Sequence, residues 1–287
     1  MKVTGGMITA LITPFDDKGE VDFGSLARLV KKQVEQGVEG FVVSGTTAES
    51  PNLSVSEVEA IFKTVKENSP EGFQLILGAG TNSTKGTVEK IKGFEHLEPS
   101  GYLIVVPYYN KPSQAGMCAH FKAVAAATSK DIVLYDIPGR SVVEMDMATI
   151  TELSKVKNIV GIKDATGNIS KLKELKASGN ISDDFIFMSG DDGSTCDFIK
   201  EGGNGVISVL SHIVPVEFKK CMKGDDDFTK YANLCDLLFA EPNPTPTKYV
   251  LRQMGVIDGD DLRLPLLRVS EGLALKLDAE LKSLGVL

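Results

Sequence analysis

The chain has 287 residues, 42% of them hydrophobic and 24% charged. That is enough apolar material for one large domain, or one with a small appendage. A formal net charge of -8 on a chain whose lysines are scattered repels a phosphate backbone, so nucleic acid is a poor partner. Cys118, Cys196, Cys221 and Cys235 form no Cys-x-x-Cys pair, which argues against a disulfide framework or a zinc site and for a reducing, cytoplasmic compartment. No apolar run reaches the roughly 20 residues of a membrane span, and the first six residues lack the apolar core of a signal peptide.

In chain order, a short apolar run at Met7 to Thr13 closes on Pro14, and Phe23 to Gln36 follows with Leu26, Leu29, Val30 and Val34 at helical spacing. That is strand, then helix. The unit recurs: Gly40 to Val43 with a helix near Ser56 to Glu67, whose start Ser54-Val55-Ser56-Glu57 fits a capping box. Further pairs follow in Gln74 to Leu77 with Thr84 to His96, Tyr102 to Val106 with Gln114 to Thr128, and Asp131 to Tyr135 with Met147 to Val156. The last three are Ile159 to Lys163 with Ile169 to Ala177, Phe185 to Met188 with Ser194 to Glu201, and Gly205 to Val209 with Val214 to Met222. Strands that are apolar on both faces need cover on both faces, and eight such units predict an α/β protein, a (β/α)8 TIM barrel. A doubly wound dinucleotide fold would want Gly-x-Gly-x-x-Gly after the first strand, and Thr13-Pro14-Phe15 does not resemble it. From Asp226 the strands stop, and Phe228 to Phe239, Pro246 to Met254 and Leu266 to Leu284 read as helices. The expected division is a catalytic barrel over 1–224 and a C-terminal helical appendage over 225–287.

In such a barrel the chemistry sits where strands end. The run Asn158-Ile159-Val160-Gly161-Ile162-Lys163-Asp164 delivers a lysine to the carboxyl end of a buried strand. Burial disfavours ammonium, and a neutral amine attacks carbonyls, so Lys163 is the candidate Schiff-base nucleophile. After the second strand, Ser44-Gly45-Thr46-Thr47-Ala48-Glu49-Ser50 offers small residues whose backbone N–H groups can face an anion. Two phenols, Tyr108 and Tyr109, follow the fourth strand, and Tyr135 and Arg140 follow at the fifth. Arginine suits a carboxylate because it grips both oxygens. His96, His120 and His212 form no cluster, which makes a metal-dependent lyase a weak reading.

Several segments carry a resemblance: Thr13-Pro14-Phe15, Gly45-Thr46-Thr47-x-Glu49, Tyr108-Tyr109-Asn110-x-Pro112-Ser113-Gln114 and Tyr135-x-Ile137-Pro138-x-Arg140. To these are added Gly161-Ile162-Lys163-Asp164, Ser189-Gly190-Asp191-Asp192, Gly205-Val206-Ile207-Ser208-Val209 and Pro242-Asn243-Pro244-x-Pro246-x-Lys248. In order and span they resemble dihydrodipicolinate synthase, of the pyruvate-dependent class I aldolases. The resemblance implies an imine between Lys163 and pyruvate, with no cofactor and no metal. Its enamine would attack aspartate semialdehyde, in the diaminopimelate route to lysine. Tyr135 would shuttle protons through Thr46 to Tyr109, which in this family reaches in from a neighbouring subunit, so a homodimer or homotetramer is implied. Thr46 and Thr47 would hold the pyruvate carboxylate and Arg140 that of the semialdehyde, with Gly190 and the carbonyl of Ile207 lining the pocket. Ala48 stands where the family usually has a second glycine, and would be strained by about 1 kcal/mol if that position needed positive φ. The alternatives on the same scaffold are an N-acetylneuraminate lyase and a 2-keto-3-deoxy sugar acid aldolase, which commonly have serine at the position of Thr46 and lack the tyrosine pair joined to Arg140. A non-catalytic carboxylate-binding barrel is disfavoured because a buried amine without a role is costly.

Overall fold

The computed structural model describes residues 2–287. Eight strands, β1 (Gly6–Ala10), β2 (Gly40–Val43), β3 (Gln74–Gly78), β4 (Gly101–Val105), β5 (Asp131–Asp136), β6 (Ile159–Asp164), β7 (Ile186–Ser189) and β8 (Gly205–Ser208), close into a barrel in chain order. The helices between them are α1 (Phe23–Glu35), α2 (Val55–Glu67), α3 (Thr84–Phe94), α4 (Gln114–Ala125), α5 (Pro138–Ser141), α6 (Met147–Leu153), α7 (Ile169–Ala177) and α8 (Thr195–Lys200). After β8 come α9 (Pro215–Lys223), α10 (Ala232–Leu238), α11 (Thr245–Gln253) and α12 (Glu271–Ser283). The expected (β/α)8 barrel with C-terminal helices is therefore the fold found. No helix among the described residues is long and apolar enough to cross a membrane.

The helix starts follow from local chemistry. Ser54 caps α2 by accepting from the N–H of Glu57 while the Glu57 carboxylate reaches back to the Ser54 N–H, so the capping box is present. Asp22, Ser83, Ser113, Asp146, Asn168 and Ser270 cap α1, α3, α4, α6, α7 and α12 through their side chains. The cap at Ser270 also explains a difference from the sequence reading: the last helix opens at Glu271 rather than Leu266. Leu264 and Leu267 are 75% and 70% exposed, so apolar residues here mark no buried helical face.

The chain packs as two compact units: one takes the chain up to Ile8 together with Gln74–Ile207, the other Thr9–Phe73 together with Ser208–Leu287. In the first, β3 to β8 pair in parallel. Gly161 in β6 is needed for close approach, because a Cβ there would lie 2.5 Å from the carbonyl oxygen of Ile186. In the second, Phe15, Leu26, Leu29, Phe41, Phe62, Phe218 and Leu277 are buried. Thr9 and Gln33 share a bond of 2.8 Å, and the Gln33 amide donates to the Ser211 carbonyl at 3.0 Å, so these buried polar groups are satisfied.

Candidate active site

The register of β5 on β6 sets the centre of the first unit. Ile132 pairs with Ile159, yet Val133 pairs with Gly161, so Val160 is skipped as a bulge. Without that extra residue Tyr135 would stand opposite Ile162; with it, Tyr135 pairs with Lys163 and Asp136 with Asp164. A one-residue slip exchanges the two faces of a strand, so the bulge decides which side chains share a face. Tyr135 and Lys163 share one, both buried, with the Lys163 Nζ 4.2 Å from the centre of the Tyr135 ring. Gly190, directly after β7, leaves room for this lysine: a Cβ there would sit 2.9 Å from its Cε and 2.7 Å from the Ala165 Cβ. Ile207 is a buried residue of β8. Beyond the strands the ladder continues through Ala165 N–H to the Asp136 carbonyl at 2.9 Å and Gly190 N–H to the Asp164 carbonyl at 2.7 Å.

Asp136 alternates to the opposite face and meets α7, where Lys171 Nζ lies 3.0 Å from its Oδ2. Lys171 also holds Glu144 at 2.9 Å, and the N–H of Met145 donates to the Asp136 Oδ2 at 3.2 Å. The segment from Ile137 to Met145, which carries Arg140, is thus pinned at its far end. Asp136 is fully buried and its Oδ1 has no partner. Burial accordingly pushes its pKa up to about 6, against the pull of Lys171. Burial works to lower Lys171, but Asp136 and Glu144 outweigh it, and its pKa is raised. Within the pinned segment lies one helical turn, α5, with Pro138 in its first turn and Val142 closing it at φ 66°. Arg140 is exposed there, and among the described residues its guanidinium enters no ion pair or side-chain hydrogen bond.

After β4 the chain turns through Tyr108 and Tyr109. Tyr109 is 88% exposed on a left-handed backbone, φ 73°, an unfavourable state for a bulky aromatic residue. The turn is held from within by the Asn110 N–H to the Tyr108 carbonyl, 2.9 Å, and from α3's approach by the Asn110 amide to the Asn82 carbonyl, 2.7 Å.

In the second unit Thr46–Ala48 form a short 3-10 turn at the end of β2. Its closing bonds use the N–H groups of Ala48, Glu49 and Ser50, which leaves those of Thr46 and Thr47 outside the turn's own bonding. Thr46 is exposed and Thr47 buried. The strain conditionally expected at Ala48 does not arise. The left-handed residues are Ser44 and Glu49, each at φ 57°, and Ala48 is buried with its carbonyl accepting from the Thr13 hydroxyl at 2.9 Å. Sequence reasoning assigned no role to Asp136, Lys171, Asn243 or Lys248. Nothing local marks them: Lys248 lies with Thr245 and Arg252 at helical spacing, as a solvated lysine would.

A closed barrel whose sixth strand carries a buried lysine against a buried tyrosine has the architecture of the class I aldolases. The family is specified by comparison: residues 3–284 match the model of the Dihydrodipicolinate synthetase family, and the chain belongs to that family. A relative from Bdellovibrio bacteriovorus named 4-hydroxy-tetrahydrodipicolinate synthase is 44% identical, with both chains covered completely. A solved structure described as the first monomeric dihydrodipicolinate synthase variant is 37% identical, with TM-score 0.94 over 99% of this chain and 98% of the other. The chloride-inhibited dihydrodipicolinate synthase from Acinetobacter baumannii, solved with pyruvate, is 36% identical, with TM-score 0.93 over 99% of this chain and all of the other.

The raised pKa of Asp136 has a measurable sign. Its carboxyl binds a proton more tightly in the folded chain, at about 6, than an ordinary aspartate carboxyl does at 3.8, so folding takes up a proton in that window and this group lowers stability as pH rises through it. Asp136→Asn lacks that dependence, while losing the Lys171 pair at every pH. The unfolding free energy of the variant should therefore gain on that of the parent by up to about 3 kcal/mol between pH 4 and pH 7. A difference in denaturant midpoints that stays constant across that range would refute the assignment.

Proposed function

We propose that this chain condenses pyruvate with aspartate semialdehyde to 4-hydroxy-tetrahydrodipicolinate, the step that enters the diaminopimelate route to lysine. The observation that carries the proposal is the shared face of Lys163 and Tyr135, with Nζ 4.2 Å from the ring centre, in a chain that matches the family from residue 3 to 284. The Lys163 amine adds to the ketone carbon of pyruvate and water leaves, giving an imine that withdraws electrons from the adjacent methyl group. Loss of a methyl proton gives the enamine, whose carbon attacks the semialdehyde carbonyl. The amine of the second substrate then adds to the imine carbon, closes the ring and releases Lys163. No other cofactor enters this scheme.

Tyr135 is the proposed proton carrier, through Thr46 to Tyr109 of a second subunit. A neutral phenol is a poor base, so sharing the proton along hydroxyls is chemically useful. The exposed hydroxyl-bearing Thr46 and the bare Tyr109 support that arrangement. The N–H groups of Thr46 and Thr47 hold the pyruvate carboxylate, Arg140 holds that of the semialdehyde, and Gly190 and Ile207 line the pocket. In this reading residues 1–224 form the catalytic barrel and 225–287 the appendage, and the enzyme works in the cytoplasm as a homodimer or a tetramer built from dimers.

Three outcomes test this reading. Borohydride with pyruvate should leave a stable adduct on Lys163 by mass spectrometry, and Lys163→Ala should fold yet form none; an undiminished adduct in the variant would place the nucleophile elsewhere. Arg140→Ala should raise KM for aspartate semialdehyde more than KM for pyruvate, by the roughly 1.5 to 3 kcal/mol of a charge-assisted grip, and equal effects on both would refute its role. Sedimentation at assay concentration should show at least a dimer; a fully active monomer would remove Tyr109 from the proton path.

A further inference from the structure

The turn at Thr46–Thr47 and the Glu49 behind it are braced by residues 196 and 199 positions further along the chain. The side-chain amide of Asn243 donates to the Thr47 hydroxyl at 2.8 Å. Two residues beyond Thr47, the Glu49 side chain has no exposed surface and receives the Nζ of Lys248, equally unexposed, at 2.6 Å. Its other oxygen accepts the N–H of Arg263 at 3.0 Å. Lys248 donates again to the Asp261 carbonyl at 2.8 Å and lies 4.2 Å from the centre of the Phe15 ring. Arg263 reaches the carbonyls of Gly19 and Asn52, 2.8 Å each, and pairs with Glu57. The segment after β8 thus contacts the turn on its own hydroxyl and on the carboxylate just behind it.

A fully buried ion pair adds little net stability, because losing water costs both ions what their attraction returns; burial accordingly lowers the pKa of Lys248 to about 8 despite Glu49. What such a pair does fix is geometry, since a misaligned partner would leave a bare charge in the interior. Glu49 is moreover left-handed at φ 57°, a backbone state that a side chain held at both oxygens can enforce.

We infer that Asn243 and Lys248 are positioning residues for the carboxylate-binding turn, aligning the N–H groups of Thr46 and Thr47 by bonding Thr47 directly and by locking Glu49 behind it. The inference rests on the reading that this turn holds the pyruvate carboxylate. The borohydride-trapped Lys163 adduct, titrated with pyruvate alongside KM for both substrates and thermal unfolding, tests it. Asn243→Ala, which unpairs the buried Thr47 and Thr247 hydroxyls, should melt below the parent yet stay folded and need about tenfold more pyruvate for half-trapping, the effect of misaligning one charged hydrogen bond, with KM for the semialdehyde changed by less than about twofold. Lys248→Met should lose both stability and pyruvate affinity. The double change Glu49→Gln with Lys248→Met removes both charges and should recover melting temperature while pyruvate half-trapping stays raised. Parental half-trapping in Asn243→Ala, or in a double variant that melts like the parent, would reduce the clamp to a structural brace and overturn the inference. A parent protein that traps no pyruvate on Lys163 would instead refute the proposed reaction.

Discussion

The single skipped residue between β5 and β6 decides which side chains of the first unit share a face. Parallel strands carry paired residues on the same face, so the bulge at Val160 is what makes Tyr135 and Lys163 neighbours and sends Asp136 and Asp164 outward. An unbulged ladder would set Ile162 beside the tyrosine and turn the amine toward the helices. Gly161, within the bulge's reach, then lets β7 approach, and Gly190 at the end of β7 leaves space for the lysine stem. Register, two glycines and one lysine form a set in which each member loses its purpose without the others.

Outside that face, each unit keeps a buried charge behind a loop that carries candidate site residues. In the first, Asp136 and Lys171 pin the segment bearing Arg140; in the second, Glu49 and Lys248 stand behind Thr47. Their energetics differ. Asp136 keeps an unpartnered oxygen and titrates near 6, whereas both Glu49 oxygens are taken by donors. The first arrangement stores an electrostatic cost that pH can release, and the second is satisfied and rigid.

Much of this was legible in the residues. Apolar runs at regular spacing and Ser or Asp caps mark the barrel, because strand burial and helix capping are local effects that adjacent residues set. The lysine at the end of its strand, the tyrosine beside a Pro-Gly pair and the Gly-Thr-Thr turn were likewise visible. The pairing of Tyr135 with Lys163 was not, since a bulge leaves no mark in a run of β-branched residues such as Ile159-Val160. Nor was the link from Asn243 and Lys248 to the turn: nothing local connects residues about 200 apart, and a lysine's burial depends on a partner that only the fold supplies. The early start expected for the last helix failed for the converse reason, because exposed leucines imitate an amphipathic face.

Backbone strain completes the pattern. Among the described residues six non-glycine positions have left-handed φ, and five of them, Ser44, Glu49, Tyr109, Lys111 and Val142, lie in loops after β2, β4 and β5. Each costs about 1 to 2 kcal/mol, and more for a β-branched residue such as Val142. Such conformations persist only where the surroundings over-determine them. For all but Ser44 the surroundings are identifiable: Lys248 and Arg263 on Glu49, the Asn82 carbonyl under Asn110, and the Ser141 hydroxyl against the carbonyls of Ile137 and Val143, 2.8 Å each. The scaffold thus holds these loops in shapes their own sequences disfavour, and a loop fixed in advance leaves little ordering for any ligand to impose.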